Sequence, residues 1–535
     1  MKQFNILLIV FCCSLMFTLQ AQNTRYVDPI FPQVSVESDV EYAQNISILL
    51  GTPQLIPLEM DVYTPVGDDE TERPVVIYLH TGSFLPQYFN GGITGSKIDS
   101  TAVEVCTRLA QSGYVAVSAT YRAGWLPTAT DPNVRTSTLL QATYRGIHDA
   151  RSAIRYMRKT VAVDGNPYGI DPEKIVLWGQ GSGGYLSLGA ACLDEYSEIS
   201  DLDKFIDTET FEPYVLEERD GGVFGLNATP LNNPNWVDYD SDFALAVNMG
   251  GALGDTSWID GADNEWPEAA MIGFHVVTDP FAPFGDGPVI VPTTQEFVVQ
   301  VQGTRTAVQV ANAKGLNDGL TPVLSDTDPA SAYLNAVVNA LAPVPVDLSA
   351  LGQSPTTLAE PHMYPFITDG LQSGPWDWWS KPLLDVVIPA VNAQLGTNFN
   401  ADTLHFNGLI TNPDMSAEKA RAYIDTVFTY YNPRACQILQ LEECAIVDTE
   451  DIIDDTLIEL AVAPNPATDH VFIRSNAAYP MEAVQVYDIN GRYISAQYNI
   501  DNHQYRLERG NLPAGTYLIK VKFEEGISVR KVIFR

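Results

Sequence analysis

Positive charge is scarce in this 535-residue chain: 30 Lys and Arg stand against 66 Asp and Glu, a formal net charge of −36. Phosphate binding needs clustered Lys and Arg, so nucleic acid is excluded as a partner. The acidity reads as a solubility feature of an exported protein. Cysteine is rarer still, six in all with no CxxC pair, and only seven histidines are spread along the chain. Neither zinc spacing nor an EF-hand pattern is present, so no metal is expected, and no cofactor either. After the N-terminus no run of 18 apolar residues occurs, which excludes a transmembrane segment from the mature chain.

The N-terminus itself opens with Lys2, an apolar run from Ile6 to Phe17 and then Leu19-Gln20-Ala21-Gln22. This pattern predicts a signal peptide over residues 1–21, ending at Ala21 and carrying Cys12 and Cys13 with it. Of the remaining cysteines, Cys436 and Cys444 are close enough to close a short loop in an oxidising compartment. Cys106 and Cys192 lie in apolar helical contexts and are either paired or simply buried.

The length calls for more than one domain. Between 22 and 445 several segments read as strands of a buried sheet. Leu58 to Pro65 alternates apolar and polar residues before a Gly67-Asp68-Asp69 turn, whereas Pro74 to His80 and Gly113 to Arg122 are near-continuous apolar runs suited to a parallel sheet covered on both faces. Tyr144 to Lys159 is amphipathic and predicts a helix, on which His148 reads as a structural residue.

The most telling stretch is Lys174 to Gly184, KIVLWGQGSGG, a strand running into a glycine-rich turn. With its preceding Asp171-Pro172-Glu173 it resembles the DP-x-x-I-x-L-x-G-x-S-A-G-G segment of carboxylesterase and lipase-type α/β-hydrolases. Leu58-Glu59-Met60-Asp61-Val62-Tyr63-Thr64-Pro65, His80-Thr81-Gly82-Ser83-Phe84 and Gly113 to Arg122 are similar to that family's LxxDVYxP strand, its H-G-G-G-F oxyanion loop and its GYVVVSxNYR strand. The resemblance runs from about Asn45 to Pro433 and implies a doubly wound, mostly parallel sheet, with the nucleophile on a G-x-S-x-G turn flanked by glycines that let strand and helix approach. If Gly179 and Gly183 are those glycines, the apex is Gly181 and the nucleophile is missing. If the turn is shifted by one, Ser182 is the apex and Gln180 takes a glycine's place. The fixed glycine spacing favours the first register, on which Gly181→Ser should raise esterase activity and Ser182→Ala should be silent.

Other roles follow from the same resemblance. Backbone N–H groups near Thr81, Gly82 and Gly183 would hold an oxyanion. Asp279, in the stretch Ala270 to Phe284, would be the triad acid. His362 is preferred over His405 as the base, each following the predicted helix at Thr304 to Lys314. Trp376, Trp378 and Trp379 lie in a probable insertion or lid, 315–381, where they either wall a substrate cleft or pack beneath it. The favoured reading is a hydrolase of a small-molecule or glycan ester, impaired by Gly181 unless Ser182 serves. The alternative is a non-catalytic ligand-binding protein.

An acidic linker, 446–457, leads to a different composition. From Ala463-Pro464-Asn465-Pro466 onward, short strands at His470 to Arg474, Ala483 to Tyr487, Gln504 to Leu507, Gly515 to Phe523 and Ile527 to Phe534 predict a small β-sandwich over 458–535, with a turn at Asp488 to Arg492. This region resembles the C-terminal sorting domain of the type IX secretion system in its PNP-A-x-D opening, V-x-D-x-x-G-R turn and L-x-x-G-x-Y-x-x-K-V strand. The resemblance implies a partner, the secretion machinery, and a location: secreted or at the cell surface, exported through the periplasm of a Gram-negative bacterium.

Overall fold

Runs of consecutive apolar residues fix the centre of the molecule. The computed structural model describes residues 25–49, 51–262, 266, 268–291, 294–324, 329–441, 458–488, 493–510, 512–523 and 526–535. The expected signal peptide, the acidic linker, Cys444 and most of the Asp488 to Arg492 turn lie outside the described residues.

Eight strands form one sheet: β1 (Val34–Ser47), β2 (Gln54–Pro65), β3 (Arg73–Leu79), β4 (Val115–Ala119), β5 (Ile170–Gln180), β6 (Leu245–Met249), β7 (Ala270–Val276) and β8 (Met363–Phe366). Their order is β1-β2-β4-β3-β5-β6-β7-β8. The pairs involving β2 are antiparallel and those from β4 through β8 are parallel. All seven residues of β3 are buried, as a strand covered on both faces requires.

Alternation along that strand divides the core in two. Val75, Ile77 and Leu79 pack with α2 (Pro132–Ala162) and α3 (Ser182–Cys192), while Val76 and Tyr78 pack with α1 (Ser100–Gln111) and the long C-terminal helix Ala417–Ile438. Helices therefore cover both faces. Helix α2 starts where Asp131 accepts from the Asn133 N–H ahead of Pro132, an N-cap with proline in the first turn. Helix α3 is buried almost throughout and rich in small residues, so it lies close to the sheet.

One expectation needs correction and one open alternative is resolved. Met363–Phe366, inside the span assigned to an insertion, is the eighth strand of the sheet and pairs in parallel with β7. It was hidden because four residues are too few to show a period. Cys106 and Cys192 are both free and buried, so their apolar surroundings reflect packing and no bridge. Cys436 is disulfide-bonded.

Towards the C-terminus the expected strands are present, joined by Ala461–Ala463 and Tyr493–Asn502. They form a three-stranded and a four-stranded sheet, both antiparallel. Val471 and Ile473 of the first meet Val484, Val486, Ile519 and Val521 of the second in one core. The chain thus combines a mostly parallel doubly wound α/β sheet with a small all-β sandwich.

Candidate active site

The strand β5 ends in a turn whose register is decided by steric fit. A Cβ on Gly179 would fall 1.9 Å from the Gly183 carbonyl oxygen, and one on Gly183 would fall 2.1 Å from that of Leu79. Both obstacles are backbone, so neither position tolerates a side chain. They flank Gly181, which sits at φ 54°, ψ −117° as the cap of α3. This is the strained geometry of a nucleophile-bearing turn, and its apex has no side chain. Ser182 is the first residue of the helix, one position beyond the glycine that Gly179 and Gly183 flank.

What fills the vacant position is Thr81. A Cβ built on Gly181 would lie 2.2 Å from Thr81 Oγ1 and 3.0 Å from Thr81 Cβ. The loop after β3 thus places a side chain against the position where the turn has none. Its other members are Gly82, at φ 140°, and Ser83.

Ser182 is buried and committed elsewhere. Its Oγ accepts from the Ser83 N–H at 3.1 Å. Tyr121 donates its single hydroxyl proton to the His80 carbonyl at 2.8 Å, so the 2.7 Å contact between Ser182 and Tyr121 must be donated by the serine. No histidine receives the Ser182 proton. His80 is itself occupied: Nδ1 donates to the Thr81 carbonyl, the ring stacks on Tyr121, and burial lowers its pKa to about 4.

Asp279 follows β7 and is buried. Its Oδ1 accepts from the N–H groups of Phe281 at 2.7 Å and Ala282 at 3.2 Å, and its Oδ2 accepts from the Ser373 hydroxyl at 2.8 Å. Burial raises its pKa to about 7, against the lowering effect of those three bonds. Ser373 lies in the segment after β8, where the chain order acid, last strand, histidine would put the base. Nothing in the sequence marks this serine beyond that order, and the order was unreadable while β8 was unrecognised.

Neither nominated histidine reaches this place. His362 precedes β8 instead of following it, and its Nδ1 accepts from Arg434 Nε at 3.3 Å. Burial and the Arg434 charge hold its pKa near about 3. His405 accepts at Nδ1 from the Trp379 indole N–H at 3.0 Å. The tryptophans are packing residues: Trp376 is buried against Phe366, Trp378 carries the Arg421 guanidinium on its face, and Trp379 lies against Gly408 and His405.

A cavity of about 150 Å³ opens at the turn. Thr81, Ser83, Gly181, Ser182, Asp279 and Ser373 form its polar end, and the remaining wall is largely aromatic and aliphatic. His362, His405 and the three tryptophans are not among its lining residues, and Gly183 is set back in α3. Beneath the turn, Gln180 donates to the half-buried Asp377, which also accepts from Thr101, fixing the residue before Gly181. Among the described residues no group of acidic, histidine or cysteine side chains could hold a metal ion.

The sequence matches the BD-FAE family over residues 60–215 and the secretion system C-terminal sorting domain over residues 461–535. The chain joins an esterase-type α/β-hydrolase domain to a secretion sorting domain. Solved structures with a similar fold include esterase 2 of Thermogutta terrifontis phosphorylated by paraoxon, at 20% identity over 48% of this chain and 74% of that one, TM-score 0.27. The propionate-bound form of the same esterase matches at 21% identity, over 47% of this chain and 75% of that one, TM-score 0.26. Comparison with curated proteins finds no match. The sorting domain marks the protein as secreted or cell-surface. No helix among the described residues is long and apolar enough to cross a membrane.

Proposed function

We propose that the hydrolase domain is a catalytically silent ligand-binding module, exported through the periplasm of a Gram-negative bacterium by the type IX machinery that reads its sorting domain. One observation carries the reading: the nucleophile's place is occupied by the Thr81 side chain opposite a glycine at the apex. Ester hydrolysis through Ser182 has poor support. The serine lies beyond the apex, its proton goes to Tyr121, and no histidine lines the cavity. General-base activation needs a base within hydrogen-bond reach of the nucleophile, and an acid that holds Ser373 has no imidazole to orient.

The cavity, by contrast, is intact. Mostly apolar walls with a few convergent polar groups are the ordinary make-up of a small-molecule site. The test is to titrate the folded, full-length protein with a panel of small esters and amphiphiles, following both binding and turnover. Saturable binding with no product above the uncatalysed rate is the expected result. Turnover abolished by Ser182→Ala would overturn the proposal.

A further inference from the structure

Among the described residues the cavity wall holds one acidic or basic side chain, Asp279, and its carboxyl group has no counterion. Three other buried aspartates are each neutralised by a cation, Asp61 by Lys97, Asp149 by Arg122, and Asp220 by Arg145 and Arg219, as is the half-buried Asp68 by Arg25 and Arg73. Asp279 is in no ion pair among the described residues; its partners are two backbone N–H groups and the Ser373 hydroxyl, all neutral. Asp99 and Asp377 also lack a cation, but neither lines the cavity. No lysine, arginine or histidine stands among the lining residues. A buried carboxylate without a counterion is costly, and a ligand that brings the positive charge would remove that cost.

The rest of the wall suits the same ligand. Phe84, Trp125, Tyr185, Phe205, Trp258 and Phe281 all line the cavity, and aromatic faces attract cations, more strongly where water is excluded. The volume of about 150 Å³ accommodates an apolar body of about one six-membered ring. At longer range the −36 formal charge concentrates cations and repels anions around the entrance.

On the ligand-binding reading given above, we propose that the site takes a small organic cation, an ammonium, amidinium or imidazolium group on an apolar body, with its charge against Asp279. A free carboxylate, the product of ester cleavage, is disfavoured because it would meet a like charge with no cationic side chain to receive it. The two charges are complementary and no bond is made or broken.

Three compounds of almost equal shape separate charge from size: benzamidine, a cation at neutral pH, benzamide, which is neutral, and benzoate, an anion. Calorimetric titration of the full-length protein at pH 8 should rank them in that order. Benzamidine is expected to bind about tenfold more tightly than benzamide, with benzoate weakest. In Asp279→Asn the advantage of benzamidine over benzamide should shrink to within about twofold. Benzamide or benzoate binding as tightly as benzamidine would overturn the assignment of a cation while leaving a ligand-binding cavity in place. Retention of the ranking in Asp279→Asn would overturn the role given to that carboxylate. Failure of all three to bind the folded protein would overturn both the cation assignment and the ligand-binding reading. The ranking in the unaltered protein decides the matter even where the variant does not fold.

Discussion

On the proposed reading, the turn at Gly181 and the segment at Ser373 both lack the side chain that acyl transfer on this fold requires, and they lack it differently. At Gly181 the backbone is unchanged in kind: the positive φ, the flanking glycines and the helix behind them remain, and a neighbour's side chain has moved into the space. At Ser373 the donor to Asp279 is a hydroxyl and no imidazole. The difference follows from what each part does for folding. Gly179 and Gly183 are demanded by backbone contact between β5, α3 and β3, so the turn persists whether or not it carries a nucleophile. Asp279 is buried and needs donors whatever the reaction, so a histidine can be replaced there only by another donor.

The strongest way to break this comparison is at the glycines. Gly179→Ala places a methyl group 1.9 Å from a carbonyl oxygen, and backbone cannot yield as a side chain can. Loss of about 4 kcal/mol or failure to fold is expected, read by chemical denaturation. A near-neutral result would mean that the turn is not fixed by strand-helix contact.

Next comes the filled vacancy. Gly181→Ser alone, which the sequence recommends as a route to activity, should remain inactive and lose about 1–3 kcal/mol, because its Cβ meets Thr81. Adding Thr81→Gly should return part of that stability, and a double-mutant cycle measures the coupling. Additive effects would show that Thr81 does not occupy the nucleophile's place.

A smaller effect sharpens the contrast at the acid. Ser373→Ala removes a hydrogen bond to a buried carboxylate and should cost about 1.5–3 kcal/mol at pH 8. The same group sets a pH dependence. Its folded pKa of about 7 lies above the ordinary 3.8, so the folded state holds the proton more tightly than the unfolded chain. The associated stability is fully present below about pH 4 and is lost as pH rises to about 7. The melting temperature of Asp279→Asn relative to the natural protein should therefore increase over that interval and level off above it. A constant difference would show that Asp279 ionises freely in the fold.

The smallest expected change is Ser182→Ala. It leaves activity unaltered and removes hydrogen bonds to Ser83 and Tyr121, for about 1 kcal/mol.

Much of this was legible in the sequence because its determinants are local. Continuous apolar runs announced β3, β4 and β5, and glycine spacing announced the turn between β5 and α3. Asp279 was nominated through the resemblance of Ala270 to Phe284 to the α/β-hydrolase family's strand and acid loop. The histidine assignment failed for a non-local reason: β8 has four residues, and its identity as a strand depends on pairing with β7. Without it His362 stood in the right order by count and on the wrong side of the strand in space. Thr81 was readable as a departure from H-G-G-G-F, but only the packed turn shows that its hydroxyl sits where a serine side chain would be. The tryptophans occur close together in sequence because that segment packs against β8 and the helices beside it, which sequence proximity alone does not reveal.

Treatment with a broad fluorophosphonate serine probe, followed by peptide mapping, tests the central claim most directly when the natural protein is compared with the triple variant Thr81→Gly, Gly181→Ser, Ser373→His. No adduct on the folded natural protein, and an adduct at position 181 of the variant, is the predicted result. An adduct on Ser182 or Thr81 of the natural protein would contradict it, because an activated hydroxyl would then exist in a site with no base to activate one.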